Sequence, residues 1–420
     1  MNKLKDVFKK KWFYAIGACR LLKNALRKEK RKTIDNTNIS CLFVVQRTEC
    51  FTSFASLYYE MSKDDRFKIS LLVLPRYIQF PDGKEVFDFA SISKNLFFCE
   101  NLTGRHKIIA SYDFEKGEFI SLKDQKFDYV FINIPYTEQY PETLNIAQLN
   151  RIGRVCYLPY GYNSSKNKSI FKETNPWRSL SLFYRYYSIN KVSNRELFWK
   201  RYIFLNLFAR RKTLRCLGYP RFDLIKESEK KNKIDCVLWL PRYETKFEAT
   251  HEKSSFMDYK DKIIDFAISN PEVKVIIRPH PLTFSNHISK GLLTQQDIDL
   301  FRDKINEIDN LFLDESSSYM EAICEANLIL SDFTGMIVEF FLMGKKISFF
   351  GEKNSFHKKF YSMVDSFYDG NSWDAFFLCF EKLKNGEDSK QKLREKAMND
   401  FWEFNVKNAS RNIVNDLLRG

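Results

Sequence analysis

The run Val273-Lys274-Val275-Ile276-Ile277, stopped by Arg278-Pro279-His280-Pro281, constrains the fold of this chain more than any other stretch. Its β-branched residues have the length and character of a buried strand. Proline removes a ladder donor and biases the residue before it away from helix, so the strand is predicted to end at Arg278. An arginine and a histidine are then left at the carboxyl end of a strand, where open α/β sheets bind ligands. A second apolar run, Leu328-Ile329-Leu330, ends in Ser331-Asp332-Phe333-Thr334-Gly335 and leads into an apolar helix predicted over Met336 to Met343. Small polar residues with a glycine at a strand-to-helix turn present backbone N–H groups that suit a phosphate. One strand end offers cations, the other offers amides, and together they read as a diphosphate site. Singly, each has a blander reading: a histidine after a strand is usually structural, and Ser-Asp at a helix start is usually an N-cap. Their joint occurrence in one α/β unit gives the functional reading its weight.

The same grammar extends along the chain. Strands are predicted over Ser40 to Val45, Ile69 to Leu74 (ended by Pro75), Phe127 to Ile134 (ended by Pro135) and Val155 to Leu158. The last of these runs into the glycine turn Pro159-Tyr160-Gly161-Tyr162-Asn163, and a helix is predicted over Ser53 to Ser62. Residues 170–212, aromatic and basic with helical stretches, read as core plus solvated face. Leu217-Gly218-Tyr219-Pro220-Arg221-Phe222-Asp223 marks a crossing between domains. Beyond it, strands at Cys236 to Leu240, Val273 to Ile277, Leu311 to Leu313, Leu328 to Leu330 and Ile347 to Phe350 alternate with helices. Those helices are predicted near Met257 to Ser269, Gln295 to Ile308, Ser318 to Cys324 and Met336 to Met343. Helices over roughly 373–384 and 389–418 close the chain and are expected to pack back on the first domain. Strands alternating with helices imply mainly parallel sheets. The expected architecture is α/β, with two Rossmann-like doubly wound domains, 34–215 and 216–420, facing a central cleft, preceded by a helix over 1–33.

The chain has 420 residues, enough for two cores of ordinary size. Its nine cysteines are scattered, with no CxxC pair and no Cys/His cluster, so neither a disulfide framework nor a zinc site is supported. The net charge of +15 is unevenly spread, because residues 1–32 alone carry +10. The body is close to neutral, which argues against a nucleic-acid binder. In the basic arm Leu4, Phe8, Trp12, Ala15, Cys19, Leu22 and Leu26 recur at helical spacing among lysines, with Trp12, Phe13 and Tyr14 suited to headgroup depth. This pattern fits an interfacial helix on an anionic leaflet; a helix docked on the protein's own surface would show the same stripe. A transmembrane span is excluded because Trp12 to Ala18 is too short and Arg20 interrupts it. The expected location is cytoplasmic, peripheral to the inner face of the cell membrane through residues 1–32. Loss of vesicle binding on removing those residues tests this.

At these motifs the chain resembles the CDP-glycerol glycerophosphotransferases, the teichoic-acid primases and polymerases with a GT-B fold. Gly218-Tyr219-Pro220-Arg221-Phe222-Asp223 is similar to that family's G-x-P-R-x-D, Arg278-Pro279-His280-Pro281 to its R/K-P-H-P, and Ser331-Asp332-Phe333-Thr334-Gly335 to its S-D-Y-S-S. Asp314 with Ser318-Tyr319 resembles the D-x-x-x-S-Y/H turn before that element. Order and spacing agree over residues 216–350, while the fit of 40–165 is looser. The resemblance implies that Arg278, His280, Ser331, Asp332 and Thr334 surround the CDP and diphosphate of the donor, with Gly335, Asp314 and Ser318 beside them. Gly218, Pro220, Arg221 and Asp223 would mark the inter-domain crossing. The family's first-domain His-Gly turn is replaced here by Tyr160-Gly161. Either His280 does the acid/base work alone, or Tyr160 substitutes, or the acceptor differs.

The resemblance implies transfer of glycerol phosphate, or a similar polyol phosphate, from a CDP-activated donor to a hydroxyl of a lipid-linked or saccharide acceptor, expelling CMP. Such a loose transition state is served by positioning and charge stabilisation. Arg278 would neutralise phosphate oxygens, Thr334 and the Gly335 N–H would hold them, and His280 would accept the hydroxyl proton or donate to the leaving phosphate. No carboxylate cluster calls for a tightly bound metal or cofactor. Two alternatives stand beside this reading: a GT-B glycosyltransferase using a nucleotide sugar in capsule or lipopolysaccharide synthesis, and a non-catalytic relative that binds a polymer.

Overall fold

The computed structural model describes residues 34–79, 85–165, 182–197, 213–226, 233–244, 254–316 and 319–419. The predicted helix over 1–33, Ser318 and most of 170–212 lie outside the described residues. The chain forms two compact units. The first comprises Met1–Gly161, Lys168–Leu224 and Phe404–Gly420; the second comprises Tyr162–Asn167 and Ile225–Glu403. Among the described residues no helix is long and apolar enough to cross a membrane.

The first unit contains β1 (Ile39–Val45), β2 (Phe67–Val73), a hairpin of β3 (Arg76–Gln79) and β4 (Glu85–Asp88), β5 (His106–Ala110) and a second hairpin of β6 (Tyr112–Asp113) and β7 (Glu118–Phe119). It continues with β8 (Tyr129–Ile132), β9 (Arg154–Tyr157), β10 (Arg185–Tyr187) and β11 (Leu214–Arg215). Seven of these make one sheet in the order β11-β10-β9-β8-β1-β2-β5, parallel at every pairing. β1 shows why both faces must be covered. Ile39, Cys41, Phe43 and Val45 enter one apolar cluster, whereas Leu42 and Val44 enter another, the two-residue period of a strand buried on both sides.

The second unit holds β12 (Cys236–Leu240), β13 (Lys274–Ile277), β14 (Leu311–Leu313), β15 (Leu328–Asp332), β16 (Lys346–Phe350) and β17 (Tyr368–Asp369). Their order is β14-β13-β12-β15-β16-β17, again parallel throughout. The chain starts in the middle, winds outward one way, then returns and winds the other. The switch point lies between β12 and β15, where Leu240 pairs with Ser331. Ligands of doubly wound sheets sit outside the carboxyl ends at such a point. The architecture is therefore the expected α/β one: two Rossmann-like parallel sheets.

Several element boundaries depart from expectation. The predicted helix over 389–418 is two helices, Gln391–Phe404 and Ala409–Leu418, separated where Asn408 takes a left-handed φ of 56°. The first of the two begins in the second unit, and the other belongs to the first unit. Helix Trp373–Lys384 packs Phe376, Cys379, Phe380 and Leu383 into the second unit's core instead of returning to the first. Residues 185–187, in a stretch with helical spacing, form β10 because their aromatic rings are buried within the sheet.

Helix Ala409–Leu418 is tied to the first sheet by polar contacts. Asp416 receives the Arg185 guanidinium at 2.9 Å, the Arg215 guanidinium at 3.1 Å and the Tyr187 hydroxyl at 3.1 Å. The Tyr129 hydroxyl donates to the Leu417 carbonyl at 2.7 Å.

Candidate functional site

At the end of β13 the ladder continues one residue past the strand, since the Arg278 N–H donates to the Trp239 carbonyl at 2.9 Å. Pro279 ends it. The His280 N–H then donates to the Pro241 carbonyl at 3.1 Å, tying the turn after β13 to the turn after β12. The His280 ring packs on Tyr243 with centroids 4.5 Å apart. Its Nδ1 accepts the Leu282 N–H at 3.2 Å. On that geometry the neutral ring carries its proton on Nε2. Burial against these neighbours, and then the Arg242 charge, lower its pKa to about 4. The residue as a whole stays exposed. At neutral pH His280 is an uncharged ring with an N–H to offer.

Arg278 is engaged elsewhere. Its Nη1 lies 2.6 Å from Asp314 Oδ2 and its Nη2 donates to the Ser316 carbonyl at 2.8 Å. Burial raises the Asp314 pKa, but hydrogen bonds from Ser316 and Arg278 outweigh it and the net shift is downward. Arg278 and Asp314 thus come together, but as a charge-paired brace between the ends of β13 and β14.

The turn after β15 divides into an inner and an outer part. Ser331 is fully buried and its hydroxyl donates to the Asp332 carbonyl at 2.7 Å. Asp332, 1% exposed, accepts the main-chain N–H of Arg242 at 2.6 Å and that of Ser255 at 2.9 Å, both on Oδ2. Burial pushes its carboxyl up to about 7, against the pull of those hydrogen bonds. Phe333 packs on Phe356, 4.8 Å between centroids. Thr334 is half-buried, with its hydroxyl 3.4 Å from the Met336 N–H, and Gly335 is exposed with open space where a Cβ would stand. Of this motif, Thr334 and Gly335 face outward, whereas Ser331 and Asp332 hold the turn from within.

Two residues that sequence reasoning passed over complete the cluster. The Arg242 guanidinium donates to the Phe333 carbonyl at 2.9 Å and lies 5.4 Å from the Tyr243 ring centroid. His280 therefore reaches the Phe333 turn through Tyr243 and Arg242. The signal was available: Leu240-Pro241-Arg242-Tyr243, like Ile277-Arg278-Pro279-His280, ends an apolar strand with a proline beside a basic and an aromatic residue. Among the described residues no three His, Cys, Asp or Glu side chains are placed to hold a metal ion.

The remaining candidates belong to the first unit. Tyr160 is 40% exposed beyond the end of β9, and its carbonyl accepts the Tyr219 hydroxyl at 3.1 Å. Gly218, Pro220, Arg221 and Asp223 all precede the passage into the second unit, which falls after Leu224. Gly218 has φ 103°, and a Cβ there would stand 2.4 Å from the Val406 carbonyl oxygen. Asp223 accepts the N–H groups of Ala409 and Ser410 at 3.0 and 2.8 Å. The segment clasps the start of the last helix.

No family model matches the chain, and no curated protein matches its sequence. Solved structures do share its fold. A UDP-GlcNAc 2-epimerase from Neisseria meningitidis bound to UDP-GlcNAc is 15% identical, with a TM-score of 0.56 over 91% of this chain and 100% of that one. The wall teichoic acid polymerase TagF, as its H444N variant, is 12% identical, with a TM-score of 0.53 over 99% of this chain and 97% of that one. A UDP-N-acetylglucosamine 2-epimerase from Listeria monocytogenes is 11% identical, with a TM-score of 0.55 over 90% and 95% of the two chains. The chain shares with them a GT-B glycosyltransferase-like fold.

Proposed function

We propose that the protein is a transferase that draws on a nucleotide-activated donor held at the carboxyl edge of its second sheet. The carrying observation is the convergence of Arg242, Tyr243, His280, Thr334 and Gly335 on the switch point between β12 and β15. A guanidinium, a neutral imidazole with an available proton and an exposed glycine turn are the groups a diphosphate requires. The donor we propose is a CDP-linked polyol, with glycerol phosphate or a relative passed to a hydroxyl of a lipid-linked or saccharide acceptor. Support comes from the ordered motif set over residues 216–350 and from the likeness to a wall teichoic acid polymerase across 99% of the chain.

In this reaction the acceptor hydroxyl attacks the distal phosphorus and CMP departs with the electron pair of the broken P–O bond. His280, neutral and protonated at Nε2, donates toward the charge that builds on phosphate oxygens. Proton abstraction at Nε2 would require the other tautomer and loss of the Leu282 hydrogen bond. The acceptor proton therefore passes to solvent or to the departing CMP phosphate rather than to the His280 ring.

A second reading, a nucleotide-sugar enzyme, is favoured by the UDP-GlcNAc-bound structure of the same fold. One panel separates the two. Purified protein is incubated with CDP-glycerol, CDP-ribitol and UDP-sugars, and release of CMP, UMP and UDP is measured. CMP release from a CDP-polyol is expected. UDP release alone selects the glycosyltransferase, and no release from any donor overturns both enzymatic readings.

A further inference from the structure

Resting on that reading, we infer that Asp332 is a positioning residue that sets Arg242 at the switch point, and that Arg242 is the side chain that meets the donor's phosphates.

The turn Pro241-Arg242-Tyr243 is held at four main-chain atoms. The Pro241 carbonyl accepts the His280 N–H at 3.1 Å. The Arg242 N–H donates to Asp332 at 2.6 Å, and the Arg242 carbonyl accepts the Ser254 hydroxyl at 2.5 Å. The Tyr243 carbonyl accepts the Asn286 side-chain amide at 3.3 Å. Asp332 occupies the centre of this arrangement, because the oxygen that takes the Arg242 N–H also takes that of Ser255. One carboxylate oxygen thereby draws together the strand end that leaves the sheet and the segment that returns to it. Ser255 is itself fixed, its hydroxyl accepting the Trp239 indole N–H at 3.0 Å.

The other Asp332 oxygen, Oδ1, is buried and without a hydrogen-bond partner. Leaving a buried acceptor unsatisfied is costly, and a carboxylate serving stability alone is better placed in water. The gain must lie in what is positioned. That is the Arg242 guanidinium, 5.4 and 5.9 Å from the centroids of the Tyr243 and Phe333 rings and anchored on the Phe333 carbonyl. A planar cation held within cation–π reach of two rings and by a carbonyl is preorganised for phosphate oxygens. Arg278, the cation the motif suggests, braces Asp314 and Ser316 at the end of β14.

The test uses the full chain and isothermal titration with CDP, CMP, UDP and UMP. Arg242→Ala is expected to weaken the preferred nucleoside diphosphate by about 10-fold or more, the worth of one charge-assisted hydrogen bond. Asp332→Ala should reproduce that loss. The double variant should be no weaker than either single one, since both remove the same contact. Asp332→Asn keeps an acceptor oxygen and should restore most of the affinity. Additive losses, or wild-type affinity in Asp332→Ala or Arg242→Ala, overturn the inference while the donor reading stands. Wild-type protein that binds none of the four nucleotides overturns both. If Asp332→Ala does not fold, Asp332→Asn with Arg242→Ala carries the test: an Asn variant as weak as Arg242→Ala would exclude the positioning role.

Discussion

Asp223 and Asp332 come from two motifs of similar look, and each accepts two main-chain N–H groups. Asp223 is exposed and sits at the start of helix Ala409–Leu418, doing for that helix what an N-cap side chain does. Asp332 is buried between two strand ends with one oxygen unpaired. The first arrangement is cheap, because water solvates whatever the amides do not use. The second is costly, and it stands where strand ends converge at the carboxyl edge of the second sheet. The contrast teaches that a short polar motif identifies a hydrogen-bonding task; burial and sheet position decide whether the task serves stability or a site.

The contrast is broken most sharply at His280. If the strand-end cluster is the reacting site, His280→Ala should lower turnover by roughly 10²–10⁴-fold with thermal stability near that of wild type. His280→Gln sharpens the point, because its amide can still donate where the Nε2–H stood. Partial rescue by glutamine fits donation toward phosphate; a loss equal to that of alanine assigns His280 to proton transfer. An alanine variant with unchanged turnover removes the residue from the mechanism.

Next in size is the other side of the contrast. Asp223→Ala should cost about 1–2 kcal/mol, the usual price of a lost cap, and lower the melting temperature without altering nucleotide affinity or turnover. Scanning calorimetry beside a single titration checks this. A change in affinity at constant stability would return the 218–223 segment to the functional site and defeat the distinction.

Much of this was legible in the sequence, and the boundary is physical. Strands such as Cys236–Leu240 and Leu311–Leu313 announce themselves because β-branched or apolar runs end at proline or a turn. The edge strand His106–Ala110 and the short β10 and β11 do not, since their apolar pattern is brief and their pairing partners are distant in sequence. At the candidate site, local grammar alone put His280 after β13 and Thr334 and Gly335 after β15. The commitment of Arg278 to Asp314 was not readable, because a side chain 36 residues away decides it. Nor was the inward turn of Ser331 and Asp332, which depends on the returning segment at Ser254 and Ser255. Arg242 was readable and was passed over.

The smallest effect lies in the pH dependence of stability, where the two groups of the cluster oppose each other. His280 has a folded pKa lowered from 6.5 to about 4, so between those values the unfolded chain binds more protons. Its contribution to stability is full above pH 6.5 and is lost as pH falls toward 4. Asp332 has a folded pKa raised from 3.8 to about 7, so the folded protein holds the extra proton. Its contribution is full below pH 3.8 and is lost as pH rises through 7. The Asp332 slope should be the larger, because His280 keeps solvent contact and Asp332 has almost none. Asp332→Asn should therefore gain stability relative to wild type as pH is raised from 5 to 7.5, measured by urea denaturation at both values. His280→Gln should change the difference in the opposite sense: relative to wild type it becomes more stable as pH is lowered from 7 to 5. A constant offset for Asp332→Asn across the range would mean that the carboxyl does not titrate there, and that its burial is relieved by solvent at the unpaired oxygen.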